Sequence, residues 1–202
     1  MKLLLVAFSL VFLLLGCAAS PPQQVDNICG IFNEKDDWYA AAKKSKKRWG
    51  SSIPLMMAFM HQESRFVSQA KPPRDKILGI VPWFRKSSAY GYSQAQDDTW
   101  DWYRKKTGRW GADRDSFQDA IDFVGWYNTQ TKKINGVSLT NTYGLYLAYH
   151  EGHGGFKKKT YNKKEWLKTV AKKVAGRSRT YAKQLRSCEK GLQSKGFSFW
   201  PF

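Results

Sequence analysis

The stretch that decides the fold is residues 51–69, which read SSIPLMMAFMHQESRFVSQ. Ser51 or Ser52 is a suitable N-cap, and Pro54 suits the first turn of a helix. From there apolar residues recur at intervals of three and four. This spacing predicts a helix over residues 53–69.

Glu63 shares one face of this predicted helix with Met60 and Val67, and Phe59 and Phe66 flank it within about one turn. Burial among apolar side chains disfavours a charged carboxylate, so its pKa should rise until a neutral acid persists at cellular pH. A neutral carboxylic acid can donate a proton to a glycosidic oxygen. The alternative is a glutamate at the end of an amphipathic helix that leans into solvent.

The rest of the chain also has mostly helical spacing. Its 202 residues suffice for one compact domain, and we expect a mainly α fold. Residues 70–95 contain three prolines and two glycines, which predicts a long loop and makes it a candidate for function. The further helices are expected over residues 38–49, 97–106, 117–132, 140–151 and 166–185.

Composition and charge restrict the class of partner. Hydrophobic residues make up 42% of the chain and aromatic residues 15%, which excludes wholesale disorder. The 34 Lys and Arg residues against 16 Asp and Glu residues give a net charge of +18. Such a surplus indicates an anionic partner, which is nucleic acid, an acidic lipid surface or an acidic cell-wall polymer.

The N-terminus selects among these partners. Lys2 precedes an apolar run, and small residues follow it, as in a secretory signal. Residues 14–17, LLGC, resemble the bacterial lipobox, in which the cysteine is acylated. The alternative to a lipobox is an ordinary secretory signal that ends near a cysteine. Both imply export from the cytoplasm, and nucleic acid is not an expected partner outside it. The lipobox resemblance implies a signal peptide over residues 1–16, lipidation of Cys17 with a tether over 17–28, and a folded domain over 29–202.

The number of cysteines also fits an exported protein. If Cys17 is acylated, Cys29 and Cys188 are the two remaining thiols, and an oxidising space allows one disulfide between them. The alternative is two unpaired buried thiols.

Three short motifs, in order, resemble those of soluble lytic transglycosylases. Residues 61–66, HQESRF, resemble the Glu-Ser signature of that family, residues 91–94, GYSQ, its Gly-Leu-Met-Gln turn, and residues 148–152, AYHEG, its Ala-Tyr-Asn-x-Gly element. The resemblance covers roughly residues 50–185. It implies a lysozyme-like, goose-type helical domain with a long loop between the catalytic helix and the Gly-Tyr-Ser-Gln turn. It also implies no cofactor, no metal, and cleavage of peptidoglycan glycan strands between N-acetylmuramic acid and N-acetylglucosamine.

The resemblance carries roles to individual residues. Glu63 would be the single catalytic acid and base, because members of this family form a 1,6-anhydro ring by attack of the sugar's own 6-hydroxyl. Ser64 would orient groups around the acid, and Gln94 would hydrogen-bond the substrate. Two positions depart from the family turn, since Tyr92 and Ser93 replace Leu and Met. In the third motif, Tyr149 would place its hydroxyl near the carboxylate, and His150 stands where asparagine is usual in the family. Tyr181 resembles a tyrosine that lies later in the family sequence and supports the catalytic acid.

Aromatic side chains supply candidate sugar platforms, because their faces suit the apolar faces of pyranose rings. Asn128 is a candidate for binding an acetamido group. Residues 77–88 make the loop longer than in compact relatives, and we interpret them as a flap over the sugar groove; the alternative is a packed loop. The candidate platforms are Trp83, Tyr90, Trp126 and Tyr127.

Other functions remain open at this point. A hydrolytic lysozyme would use water as the nucleophile and a second carboxylate, for which Glu151, Asp97 and Asp98 are available. A non-catalytic lipoprotein would bind peptidoglycan in the same groove but would not cleave it. A metal enzyme is disfavoured, because His150 and His153 are not the two histidines four residues apart, with a glutamate between them, that a helical zinc motif requires. Gly152 and Gly154 also indicate that the helix ends there.

The resemblances also imply a location. We expect a monomer attached to the membrane through its N-terminal lipid. Ala18 follows the lipobox cysteine, where an aspartate would indicate inner-membrane retention. This implies the periplasmic face of the outer membrane if the cell is Gram-negative.

Overall fold

The computed structural model describes residues 20–74, 76–77, 81–82 and 87–195. Within them the chain forms seven α-helices, one short 3-10 helix and a small hairpin, so the mainly α prediction is confirmed. The predicted signal peptide, Cys17 and Trp83 lie outside the described residues. The helices are α1 (Ile28–Glu34), α2 (Asp36–Trp49), α3 (Ile53–Ser64), α4 (Asp97–Thr107), α5 (Phe117–Asn135), α6 (Thr142–Lys157) and α7 (Glu165–Lys195).

The hairpin lies in the predicted long loop. Strand β1 (Lys76–Ile77) pairs antiparallel with β2 (Val81–Pro82), with Ile77 opposite Val81. It falls in the segment that we interpreted as a flap, most of which lies outside the described residues.

Helix α3 runs through the core of the domain. Its residues from Leu55 to Met60 are all at most 1% exposed, as expected for a helix that is apolar on every side. It packs chiefly against α7 and also against α5. Pro54 lies in its first turn, and Ser52 is its N-cap. This central position fixes the end of α3, where Glu63 lies.

The prediction that α3 continues to residue 69 is wrong. The helix ends at Ser64, and Arg65 and Phe66 both adopt left-handed backbone conformations, with φ of 50° and 63°. The Ser64 hydroxyl accepts a hydrogen bond from the Phe66 N–H, 3.2 Å away. Such local bonds compete with helix continuation. Val67 therefore leaves the helix and is 40% exposed.

Three other helices differ from the prediction, among them α7, which runs to Lys195, ten residues past the expected end at residue 185. Helix α1 was not expected, because seven residues are too few for a periodic pattern; the Asn27 side chain caps it by accepting from the Cys29 and Gly30 N–H groups. Helix α6 continues past residue 151 to Lys157 through a kink at Gly152, where φ is 70° and ψ is 162°.

The predicted disulfide is present. Cys29 on α1 and Cys188 on α7 form a bond across 159 residues of sequence. We expect its reduction to lower the free energy of unfolding by about 2–5 kcal/mol, because a long closed loop restricts the unfolded chain. Urea unfolding with and without reductant measures the change, and equal midpoints would contradict this expectation.

No helix among the described residues is long and apolar enough to cross a membrane.

Candidate functional site

Glu63 lies in the last turn of α3. The residue is half-buried, but its Oε1 atom is inaccessible to solvent and has no hydrogen-bond partner among the described residues. The Tyr146 hydroxyl on α6 hydrogen-bonds the carboxyl group. A buried carboxyl oxygen without a partner is costly, and such atoms often mark functional sites.

The surroundings of Glu63 favour its neutral form. Burial raises the pKa of Glu63 to about 7, and the hydrogen bond from Tyr146 offsets only part of the rise. Near neutral pH the carboxyl group can therefore hold a proton and also release it. Burial and then the nearby charge of Glu63 hold the pKa of Tyr149 well above its usual value, so its hydroxyl remains a donor.

The three sequence motifs meet around Glu63. The Ser64 hydroxyl donates to the Tyr92 carbonyl, 2.8 Å away, and so ties the end of α3 to the glycine turn. The Tyr149 hydroxyl donates to the Ser93 carbonyl, 2.6 Å away, and ties α6 to the same turn. Segments that are far apart in sequence are thus held together by direct hydrogen bonds.

The turn at residues 91–94 has a demanding backbone. Gly91 has φ of 74°, and its N–H donates to the Ala70 carbonyl at 2.9 Å. Gln94 also has a positive φ, 50°, which is uncommon for a residue with a side chain. Its amide nitrogen donates to the Ala70 and Gly91 carbonyls, both at 2.9 Å. These bonds use the N–H groups of the side chain and leave its Oε1 as the atom that can accept from a ligand.

A groove of about 270 Å³ runs along this turn. It contains four of the residues that the sequence proposed as substrate contacts, Gln94, Tyr127, Tyr149 and His150. Glu63 does not itself line the groove, but Phe59, one turn earlier on α3, contacts Tyr149 of the groove wall, with ring centroids 5.2 Å apart. The remaining lining residues are Ala95, Gln96, Thr99, Phe123, Glu151 and Gly152.

Five other predicted contact residues do not line this groove. Trp126 is 2% exposed and packs against Trp102, with ring centroids 4.5 Å apart. Asn128 is fully buried and donates to the Ser51 hydroxyl at 3.0 Å. The sequence periodicity predicts that both residues lie on a helix with many apolar residues. It does not show which side chains of this helix face the core and which face the groove.

Tyr181 and Ser64 also need correction. Tyr181 is fully buried, and its hydroxyl donates to the Val25 carbonyl. Its ring lies beside His61, which projects from α3 about 200° away from Glu63. Ser64 is buried, and its hydroxyl bonds are to protein groups, so it positions the turn rather than contacting a sugar.

Tyr90 lines a separate hollow that shares no residue with the groove. The cationic groups of Lys71 and Arg114 are 5.2 Å and 5.4 Å from its ring centroid. Its hydroxyl donates to Asp115 at 3.0 Å. Cations therefore flank the Tyr90 ring. The prediction that this ring is a sugar platform in the groove is wrong.

Sequence reasoning missed two residues near the site. Tyr146 precedes Tyr149 by three residues on α6, a spacing that places both on one helical face and could have identified it. Trp166 is 56% exposed, and its ring centroid is 5.1 Å from that of His150, a groove residue. Nothing in the local sequence distinguishes Trp166 from the other tryptophans.

Glu151 is a second carboxylate in the groove, but it is tied to cations. Its oxygens accept from Lys164 at 2.7 Å and from Thr160, and they lie 3.1 Å from the His150 ring. Burial favours its neutral form, but these hydrogen bonds outweigh it and hold the pKa of Glu151 below its usual value. Glu151 is therefore ionised where Glu63 is neutral.

The residues that raised the possibility of a metal have other partners. The His153 Nε2 atom is 3.0 Å from the Thr131 hydroxyl, and its ring stacks on Tyr127. In the parts of the chain that the structure describes, no group of three or more His, Cys, Asp or Glu side chains could hold a metal ion.

The comparison with known families agrees with this geometry. The family model described as the transglycosylase SLT domain matches residues 5–188. The chain belongs to this family. The mostly helical structure is consistent with the lysozyme-like helical SLT domain, and the family implies lytic transglycosylase activity on peptidoglycan. No curated protein and no solved structure matches this SLT domain protein.

Proposed function

We propose that this protein cleaves the β-1,4 bond between N-acetylmuramic acid and N-acetylglucosamine and forms 1,6-anhydro-N-acetylmuramic acid, with Glu63 as the single acid and base. The observation that supports this most strongly is the carboxyl of Glu63, whose pKa is about 7 at the junction of three motifs. One group that accepts and donates a proton near neutral pH suits both halves of such a reaction.

In the first half, Glu63 acts as the acid. Its proton passes to the glycosidic oxygen while the bond from that oxygen to C1 of the muramic sugar breaks, and the leaving sugar departs with a hydroxyl group. Positive charge develops at C1, and the sugar's own N-acetyl group assists there. Gln94 and Tyr149 line the groove in which the reacting sugars would lie.

In the second half, Glu63 acts as the base. Its carboxylate takes the proton of the 6-hydroxyl while the oxygen of that hydroxyl bonds to C1. The ring closes, and Glu63 is neutral again, so atoms and protons balance without a water molecule. The Tyr146 hydroxyl would stabilise the carboxylate that exists between the two halves.

The alternative is a hydrolytic muramidase with Glu151 as the second carboxylate, since Glu151 lines the same groove. Its carboxylate oxygens already accept from Lys164 and Thr160. This engagement disfavours a role as nucleophile or as the base for water, and it supports the mechanism with one carboxylate. A non-catalytic binding protein would not need a buried neutral acid beside the groove.

Mass spectrometry of digested cell wall distinguishes the two reactions. We expect muropeptides that are lighter by one water than the hydrolysis products and that lack a reducing muramic end. Reducing ends of normal mass would show that water is the nucleophile and would overturn the proposal.

We also propose that Cys17 carries a lipid anchor that holds a monomeric protein on the periplasmic face of an outer membrane. The sequence LLGC at residues 14–17 supports this, and the charge of +18 suits acidic surfaces. The intact mass of the protein from membranes tests it. A mature chain without acyl groups would contradict the anchor while leaving the catalytic proposal intact.

A further inference from the structure

A basic cavity lies on the side of α3 away from the groove. His61 and Glu63 are two residues apart on this helix, so they project about 200° from each other. The cavity has a volume of about 590 Å³ and lies between the end of α3 and the middle of α7. Arg65, Lys173 and Arg177 line it, together with one carboxylate, Asp26.

His61 is the buried polar group of this cavity. It is 6% exposed, and neither ring nitrogen makes a hydrogen bond with the described residues. The closest carboxylate oxygen, Oδ1 of Asp26, is 3.4 Å from Nε2. Burial, reinforced by the charges of Arg177 and Arg65, lowers the pKa of His61 to about 4, so the ring is neutral at neutral pH. A neutral imidazole still carries one N–H donor, and leaving it unpaired is costly.

The cations of the cavity exceed its carboxylates. Arg177 pairs with Asp26 and so neutralises the one acidic residue that lines the cavity. In the described part of the chain, neither Arg65 nor Lys173 forms an ion pair. Arg65 and Lys173, which have no ion pair among the described residues, therefore border a cavity whose buried imidazole, His61, has only the Asp26 carboxylate beside it, at 3.4 Å.

We propose that this cavity binds the phosphate group of an anionic lipid headgroup. A planar carboxylate is satisfied by the fork of a single arginine, whereas the oxygens of a tetrahedral phosphate accept from several directions. Here the donors come from two helices, with Arg65 on one side and Lys173 and Arg177 on the other, and Thr180 adds a hydroxyl group. The volume is larger than a free phosphate needs and leaves room for a headgroup.

The position of the cavity favours a lipid as the source of the phosphate, a step that rests on the proposed anchor. Asp26 is nine residues from Cys17, and an extended chain spans at most about 3.6 Å per residue, so the cavity lies within roughly 32 Å of the anchor. Arg179 and Lys183 line a neighbouring hollow on α7 and extend the positive surface. An anionic membrane surface attracts such a surface. The inference does not depend on the chemistry of Glu63.

Titration of the whole isotope-labelled protein tests the site by NMR. The probes are dihexanoyl phosphatidylglycerol below its micelle concentration, inorganic phosphate and acetate, at constant ionic strength. We expect the lipid to shift the His61 ring signals saturably and to bind at least tenfold more tightly than inorganic phosphate. Equal affinity for inorganic phosphate would support the phosphate site and overturn the lipid assignment. Equal affinity for acetate, or no saturable shift, would overturn the site.

A matched pair of variants removes the general effect of charge. Lys173 lines the cavity, whereas its neighbour Lys172 does not, and both are exposed on α7. Lys173→Glu should weaken lipid binding at least tenfold, and Lys172→Glu, with the same change in net charge, should stay within about twofold of the unchanged protein. Equal losses in both variants would show only unspecific attraction and overturn the proposal.

Discussion

The Glu63→Gln variant is expected to cleave purified peptidoglycan at least about 10²-fold more slowly than the unchanged protein, because a positioned general acid typically contributes 10²–10⁴-fold. Glutamine keeps the shape of the side chain but has no transferable proton. The groove is otherwise preserved, so binding of a glycan fragment should remain. Release of soluble muropeptides measures cleavage, and titration calorimetry with a chitooligosaccharide measures binding.

Glu165→Gln is the control for this experiment. Glu165 lies at the start of α7, its side chain is 83% exposed, and its ion pair is with Lys168. The substitution makes the same chemical change at a residue that does not line the groove, so cleavage should stay within about twofold. Normal cleavage by Glu63→Gln, with the control also unaffected, would refute the role of Glu63.

The Gly91→Ala variant is expected to lose about 2–5 kcal/mol of unfolding free energy. A Cβ atom at this position would lie 2.1 Å from the carbonyl oxygen of Arg114, so the backbone must shift. Overpacking of this kind costs about 1–3 kcal/mol, and the left-handed backbone, with φ of 74°, adds about 1–2 kcal/mol for a residue with a side chain. Urea unfolding measures the loss. Cleavage should fall as well, because the same turn positions Gln94.

Gly108→Ala separates the two contributions. Gly108 also has a left-handed backbone, with φ of 70°, but a Cβ atom there would meet no atom of the described residues within 4 Å. It should therefore lose only about 1–2 kcal/mol and retain its cleavage activity. If both variants lose the same stability, the close approach of Gly91 to Arg114 has no energetic consequence and our reading of the turn is wrong.

The parts of the site that follow from local sequence could be predicted. The start of α3 agrees with Pro54 in the first turn, although the side chain of Ser52, at the N-cap position, makes no capping hydrogen bond. Burial of Glu63 follows from the apolar residues within one turn of it. Convergence of the three motifs followed from a family resemblance, and the hydrogen bonds of Ser64 and Tyr149 to the glycine turn explain it physically.

The remaining features depend on tertiary contacts. The Ser64 hydroxyl, which accepts from the Phe66 N–H where α3 ends, also donates to the Tyr92 carbonyl, 28 residues away in sequence, and local sequence does not indicate this second bond. Trp126 and Asn128 lie on α5 next to Tyr127, which does line the groove, and only packing against neighbouring helices decides which side chains face it. The basic cavity joins α3 to α7, so neither segment alone indicates it.

The measurement that tests the central claim most directly is a carbon-13 NMR titration of the Glu63 side-chain carboxyl, with Glu63→Gln used to assign its signal. Burial raises the pKa of this group, so it should keep its proton until a midpoint near pH 7, and cleavage should fall as the pH rises through that value. A midpoint near 4.5, the ordinary value for glutamate, would show that the carboxyl is solvated and ionised at neutral pH. That result would contradict the assignment of Glu63 as the proton donor.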